Sequence, residues 1–349
     1  MPLVIESPHA KVAFGPGSIS QLGALLDGLG VSRPLVVTTP GRSGSIEPVV
    51  AALGARVAGV SALAREHVPI AVVSAALAEI DRLKADSIVA VGGGSAIGLA
   101  KAIARDRSMP IAAVPTTYSG SEMTSVWGLT EEAGKRTGRD VRVAPRAVVY
   151  DPVLTLTLPA RVSAASGMNA IAHAVEGAYA PNVTDEVFNA AIAAIKLLAS
   201  SLPVIVRRID RLPARMTAFA GAQAAGVVLE RSAMGLHHKM CHVLGGTFSL
   251  PHALTHAILL PHVVAFNASA APKAMAAVAA ALNAQDAAKG LASLNRSLGL
   301  TETLADLGLR EADIDRAAEL VTTASYPNPR DASAEEVREI LRAAWTAEV

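Results

Sequence analysis

The first 155 residues alternate short, β-branched apolar runs with longer segments of helical spacing. The runs PLVVTT (34–39), ARVAGV (55–60), SIVAVGG (87–93), PIAAVPTT (110–117) and AVVYDP (147–152) are bounded by Gly, Pro, Asp or Ser. Helix-like stretches such as 70–84 and 95–104 lie between them. Strands buried on both faces read as continuous apolar runs, and strands separated by helices are joined by parallel crossovers. This half therefore predicts a doubly wound α/β domain with a mostly parallel sheet, whose ligands sit outside the carboxyl ends of the strands. After Pro159 the pattern changes to long Ala/Leu-rich segments, 163–180, 187–200 and 214–229 among them, and β-branched runs fade. The change predicts an all-α second domain, with the boundary in 152–162 and domains of 1–155 and 156–349.

Composition narrows the class. At 349 residues the chain suits two domains, each with its own core. The 31 basic and 30 acidic residues leave a net charge of +1. No overall field holds a polyanion, so neither nucleic acid nor a membrane surface is expected as a partner, and a small ligand is. A single cysteine, Cys241, excludes an intrachain disulfide and suits a reducing compartment. The start, MPLVIESPHAKVAFG, carries Glu6 and has no long apolar stretch of the signal-peptide kind. No uninterrupted apolar run reaches membrane-spanning length, since even 258–266 is broken by His262. The expectation is a soluble, cytoplasmic protein.

Three groups of residues point to chemistry. The first is Gly92, Gly93, Gly94 and Ser95, which end one apolar run and open a helix-like segment. Glycines let the backbone approach an anion, and the N–H groups of a helix start attract phosphate. The spacing is not GxGxxG, because Ile97 stands where the third glycine would be. The second group is the hydroxyl-rich stretch PTTYSGSEMT (115–124) after the next strand, which places Thr116, Thr117 and Ser121 beside the glycines. The third is histidine: six of nine fall in 237–262. His238 and His242 share one helix face, His252 and His256 another, and Asn169 and His173 upstream have the same spacing. A metal site and an acid–base site both fit this cluster. Lys239 lies inside it, the basic run 135–142 reads as a solvated loop before the last strand of the first half, and Arg330 ends the run SYPNPR. Cys241 reads as packing, because adjacent helical positions point apart and carry it away from His242.

These segments resemble the iron-containing alcohol dehydrogenase superfamily over essentially the whole chain, and within it the maleylacetate reductases. The matching pieces are GGGSAIGLAKAIA (92–104), PTTYSGSEMT (115–124), KRTGRDVRVAPRAVVYDP (135–152), GMNAIAHAVE (167–176), GLHHKMCHVLGGTFSLPHALTHAILLPH (235–262) and YPNPR (326–330). The resemblance implies the dehydroquinate synthase-like plan of a nucleotide-binding α/β domain followed by a helical domain, an active site in the cleft between them, and a homodimer. Its metal-dependent members hold iron or zinc with one aspartate and three histidines. His173, His238 and His252 match the histidines, whereas Asn169 stands where the aspartate would be. Loss of the anionic ligand weakens metal binding, so the expectation is that no metal is required.

The implied activity is reduction of the 2,3 double bond of maleylacetate, a dianion, to 3-oxoadipate by NADH or NADPH. The implied cofactor site is Gly92, Gly93, Gly94, Ser95, Thr116, Thr117 and Ser121, with Thr39 near the adenosine ribose. A neutral Thr39 with Arg42 nearby leaves NADPH permitted. The implied reacting end is Asn169, His173, His238, His242, His252 and Lys239, where a protonated imidazole or Lys239 stabilises the enolate. Tyr118, Tyr326 and Arg330 are the substrate-binding candidates. The rival readings are a metal-dependent alcohol dehydrogenase, a lyase resembling dehydroquinate synthase, and a nucleotide-binding protein without catalysis.

Overall fold

The computed structural model describes residues 3–6, 9–41, 43–131 and 134–346, with only the backbone described at 3–6, 43–45, 134 and 135. The chain divides into two compact units, Met1–Leu158 and Pro159–Val349.

In the first unit, β1 (Leu3–Glu6), β2 (Lys11–Phe14), β3 (Pro34–Val37), β4 (Gly59–Ser61), β5 (Ser87–Gly92), β6 (Ile111–Pro115) and β9 (Ala147–Tyr150) form one sheet in the order β1-β2-β9-β6-β5-β3-β4. Only the β1–β2 pairing is antiparallel; the other pairings in this sheet are parallel. The remaining strands, β7 (Val126–Glu131) and β8 (Gly134–Arg139), pair as a separate hairpin. Helices α1 (Leu22–Gly28), α2 (Ser43–Leu53), α3 (Ile70–Leu83) and α4 (Gly94–Arg107) cover the sheet.

The two-residue period of a strand sorts the core. Leu35, Val37, Ile88, Ala90 and Ile111 join one cluster with Val73, Ile80, Ile97 and Ile103 of α3 and α4. Val36, Val89, Val91, Ala112 and Val114 join the other with Leu22, Leu26, Val49 and Leu53 of α1 and α2. Adjacent strand residues thus feed opposite layers, which is why the central strands read as unbroken apolar runs. Burying each of the Val, Leu and Ile side chains among them contributes roughly 1.5–3 kcal/mol. The chain runs from β3 outward to β4 and returns to the other side of β3 as β5, so the strand order reverses between β3 and β5. Their carboxyl ends frame the crevice where ligands of doubly wound sheets bind.

Two parts of this unit escape the apolar-run reading. The strands β1 and β2 are four residues each. The basic run 135–142, expected as a loop, is largely strand β8. Arg136 lies over the Trp127 ring, which Arg105 also approaches at 4.8 Å, and Arg142 pairs with Asp140. Arg42, read as permitting NADPH, lies outside the described residues.

The second unit is helical: α5 (Ala160–Ala178), α6 (Asp185–Arg207), α7 (Leu212–Arg231), α8 (Leu236–Phe248), α9 (His252–Asn267), α10 (Pro272–Ala281), α11 (Ala287–Ser297), α12 (Ile314–Thr322) and α13 (Ala334–Thr346). At its centre α5 is buried from Ser163 to Ala178 and packs against α6, α7 and α9. Small residues permit that approach. A Cβ on Gly167 would lie 2.5 Å from Leu202 Cδ1, and one on Gly177 would lie 2.0 Å from Val228 Cγ1. The segments Asp185–Arg207 and His252–Ala270 are long and apolar enough to cross a membrane by length and composition. Here α6 packs against α5 and α7, and α9 against α5, α8 and α11.

Candidate active site

In the first unit, three strand ends gather the groups read as a cofactor site. β5 closes on Gly92 at φ +148°, a conformation that L side chains rarely adopt, and α4 begins two residues later. Thr116 N–H at the end of β6 donates to the Gly92 carbonyl at 2.9 Å, locking the two loops side by side. A Cβ on Gly93 would lie 2.8 Å from Thr117 Oγ1, so the loops touch where only glycine fits. Gly94, exposed at the first turn of α4, would meet nothing within 4 Å. Open space in front of a helix N-terminus suits a phosphate. The half-buried Ser95, Thr116 and Thr117 flank it, and Thr39 follows β3 at the neighbouring strand end.

The loop carrying Ser121 is held by a residue that no sequence pattern singled out. Lys101 on α4 is 1% exposed, and its Nζ donates to Ser121 O at 2.7 Å, Thr124 Oγ1 at 2.9 Å and Val126 O at 2.8 Å. Beside it, fully buried Glu122 accepts from Tyr150 Oη at 2.8 Å, and burial pushes its pKa up. Lys101 also lies 3.3 Å from Ser121 Oγ, so Ser121 faces the lysine as well as the loop. Tyr118, expected to touch substrate, is fully enclosed, which makes it a packing residue.

In the second unit the site is built on α5, α8 and α9. Asn169, His173 and Glu176 follow one another at i, i+4 and i+7 along α5 and form one stripe. Helix α8 contributes His237, His238, Lys239, Cys241 and His242, and α9 contributes His252 and His256. The rings cluster around His256, whose centroid is 4.4 Å from that of His252, 4.7 Å from His238, 4.8 Å from His237 and 6.2 Å from His173. His173 stacks on His238 at 4.9 Å, and His242 lies 6.2 Å from His238. The half-buried Lys239 follows His238 on α8, about 100° further round the helix.

Burial sets the charge of these groups. His173 and His256 are pushed well below the usual imidazole range by desolvation, and His237 is pushed to about 3 by the same cause. The expectation of a protonated imidazole is thus corrected for His173, which like His237 and His256 is held neutral. His237 Nε2 lies 2.8 Å from His256 Nδ1, and Cys241 Sγ is 3.7 Å from that same Nε2. Donor atoms of His237, Cys241 and His256 lie within 4.8 Å of one another. The short contact between the two imidazoles is a hydrogen bond, one ring donating to the other.

Sequence reasoning passed over His237 and Glu176. Glu176 is 1% exposed and accepts from the His237 N–H at 2.9 Å and the Gly235 N–H at 3.2 Å, and it pairs with His238 Nδ1. Burial pushes its carboxyl up from the usual range, opposed by His237 and by these N–H groups. Glu176 does fall three residues after His173, one helical turn, which is the signal that could have found it.

The substrate-carboxylate role expected of Arg330 is also corrected. Its guanidinium pairs with Glu336 and stacks 4.0 Å above the Phe266 ring, so its charge is already matched. Half-buried Tyr326 packs against the α8–α9–α13 core cluster. Asn328 ties this loop to α9, its Nδ2 donating to Asn267 Oδ1 at 2.8 Å.

Comparison with known proteins gives the family. The family model for iron-containing alcohol dehydrogenase matches residues 8–152, and the model for the C-terminal part of the Fe-containing alcohol dehydrogenase family matches 163–345. Maleylacetate reductase of Delftia acidovorans is 47% identical over 338 residues, covering 97% of this chain and 96% of its own. That of Burkholderia cepacia is 43% identical over 342 residues, covering 98% and 97%. The crystal structure of maleylacetate reductase from Agrobacterium tumefaciens superposes with a TM-score of 0.91 at 39% identity, covering 99% of each chain.

The iron that gives this family its name overturns the expectation that no metal is required. The donor set supports the correction. Asn169 Oδ1 and His173 Nδ1 are buried and have no hydrogen-bond partner among the described residues. The neutral His173 ring keeps its lone pair for a cation. Imidazole suits iron, and three protein imidazoles with an open position make a catalytic divalent-metal site even without a carboxylate. The imidazoles of His173, His238 and His252 and the Asn169 amide oxygen are thus donors whose chemistry suits the ion. Matched by family models across both units and by relatives over nearly its full length, the chain belongs to the iron-containing alcohol dehydrogenase family.

Proposed function

We propose that this protein reduces the 2,3 double bond of maleylacetate to give 3-oxoadipate, with NADH or NADPH as the hydride donor. The observation that carries the reading is 43% to 47% identity to maleylacetate reductases over nearly the whole chain. Bound NADH or NADPH would supply the hydride for the alkene carbon β to the ketone, with the π electrons moving toward the ketone oxygen as an enolate. A proton then reaches the α carbon and the cofactor leaves oxidised, so the alkene gains one hydride and one proton. The glycines 92–94 with Ser95, Thr116 and Thr117 take the pyrophosphate, and Thr39 lies toward the ribose.

His173, His238, His252 and Asn169 would hold the iron, which when bound would supply a Lewis acid for the substrate's oxygen. Lys239 offers a cation to a carboxylate or to the developing oxyanion. His242, half-buried and in reach of water, delivers the proton to carbon. Glu176 spends its charge on neighbouring donors, so the residues facing a dianion are neutral or cationic. We assign the enzyme to the cytoplasm, where a reducing medium suits its buried Cys241 thiol, and to a homodimeric state.

The test is the loss of NADH absorbance with maleylacetate, before and after chelation and again after Fe²⁺ is restored. Turnover that chelation abolishes and Fe²⁺ recovers is the expected result. Absence of maleylacetate turnover in iron-loaded protein that readily reduces simple aldehydes would move the assignment to an alcohol dehydrogenase.

A further inference from the structure

Glu176 is the only buried carboxylate among the described residues of the helical unit, and it lies on the α5 stripe with Asn169 and His173. Its oxygens meet the start of α8. Gly235 is the N-cap of that helix, and the N–H groups of Gly235 and His237 point at the carboxylate from 3.2 and 2.9 Å. Backbone N–H groups that open a helix have no intrahelical partner, and the helix end they belong to is electropositive. A carboxylate supplied from another helix satisfies both. The approach is close enough to demand glycine: a Cβ on Gly235 would lie 2.5 Å from Pro327 O and 3.2 Å from Glu176 Oε1.

The same carboxylate meets His238 Nδ1. A carboxylate with two backbone donors aimed at it and a positive helix end behind them acts as an acceptor, so the imidazole nitrogen must donate. A neutral imidazole carries one proton, and placing it on Nδ1 leaves the lone pair on Nε2. We propose that Glu176 is a positioning residue that fixes the His238 tautomer, holding its Nε2 lone pair ready for the metal while anchoring the first turn of α8. Glu176 thereby returns, one bond further out, the negative charge that the amide at Asn169 does not supply, because a carboxylate hydrogen-bonded to a ligating imidazole raises that ligand's basicity.

The inference rests on the reading of His238 as a ligand, but its test uses no substrate, so a failure of maleylacetate reduction leaves it standing. Glu176→Gln separates the two roles. Its amide oxygen still accepts from the His237 N–H, while its NH₂ group replaces the oxygen that faces His238 Nδ1 and the Gly235 N–H and forces the imidazole proton onto Nε2. Metal affinity, measured by Zn²⁺ competition with a chromophoric chelator, should fall about ten- to a hundredfold with the far-ultraviolet circular dichroism unchanged. Glu176→Asp keeps an all-acceptor group and should recover part of that loss. In metal-free wild-type protein, the ¹⁵N shifts of the His238 ring should report a protonated Nδ1 and an unprotonated Nε2, a readout that needs no variant to fold. A proton on Nε2 in the wild type overturns the proposal, as does metal affinity of Glu176→Gln within twofold of wild type.

Discussion

At the scale of single residues, Gly94 separates fold from function. A side chain there meets nothing within 4 Å, whereas one on Gly93 strikes the β-branched Thr117. Gly94→Val should therefore leave the unfolding midpoint nearly unchanged and raise the NADH Kd at least tenfold, read by the quenching of intrinsic or cofactor fluorescence. Unaltered NADH affinity would place the phosphates elsewhere. Asn169 supports a second prediction. Asn169→Asp adds an anion to the donors of His173, His238 and His252, so Zn²⁺ and Fe²⁺ should bind more tightly. A new charge about 5 Å from a dianion at an effective dielectric near 20 costs about 3 kcal/mol before the metal offsets it. A fall of about tenfold or more in kcat/KM for maleylacetate is the expected outcome, checked alongside metal affinity by chelator competition. Legibility at this scale followed chemistry that sits close in sequence. The glycine run and the paired histidines announce themselves by spacing. Glu176 does not, because its partners Gly235, His237 and His238 are 59 to 62 positions away. Arg330 was misread for the complementary reason, since nothing in SYPNPR shows that Glu336 and Phe266 already occupy its guanidinium.

Elements were legible where burial was two-sided. β3, β5, β6 and β9 are buried along their whole length and appear as apolar runs, while β7 is mostly half-buried and β8 carries Lys135, Arg136 and Arg139. A hairpin exposed on one side looks like a charged loop until its cross-strand partners are known. The loop from β6 to that hairpin depends on an equally hidden feature. Lys101 lies in the apolar-looking GLAKAIA of α4, yet its ammonium gathers Ser121 O, Thr124 Oγ1 and Val126 O. A buried cation is tolerated only when its donors are used, and Glu122 supplies an opposing charge nearby. Lys101→Met keeps the length and removes the charge, leaving those acceptors unmatched and Glu122 without its cation. The expected loss is about 3–5 kcal/mol in unfolding free energy, measured by urea denaturation. NADH affinity should weaken with it, since the Ser121 loop loses its tether. A variant as stable as wild type would show that the loop holds itself.

For the molecule as a whole, the helical unit carries a cost that grows with acidity. His262 on α9 is 8% exposed, and desolvation pushes its pKa down from 6.5 to about 4. In the unfolded chain the same ring titrates near 6.5. Between these values the unfolded state binds a proton that the folded state refuses, so stability is fully present above pH 6.5 and declines as pH falls toward 4. One such group gives a slope of up to about 1.4 kcal/mol per pH unit and an accumulated loss of about 3 kcal/mol by pH 4. His237, pushed to about 3, adds a second proton to the same window and carries it lower. His173 and His256, displaced in the same direction, steepen it further. His262 stands ten residues beyond His252, so its substitution isolates one proton without touching the proposed ligands. His262→Gln keeps a neutral polar side chain and removes the titration. Urea unfolding of both proteins from pH 7 to pH 4, in the same metal state, should show the variant losing less stability by about one proton's share, with the curves converging above pH 7. Parallel curves across that range would mean that the His262 ring titrates alike in the folded and unfolded chain, and that the acid lability of this unit comes from the histidines around His256 alone.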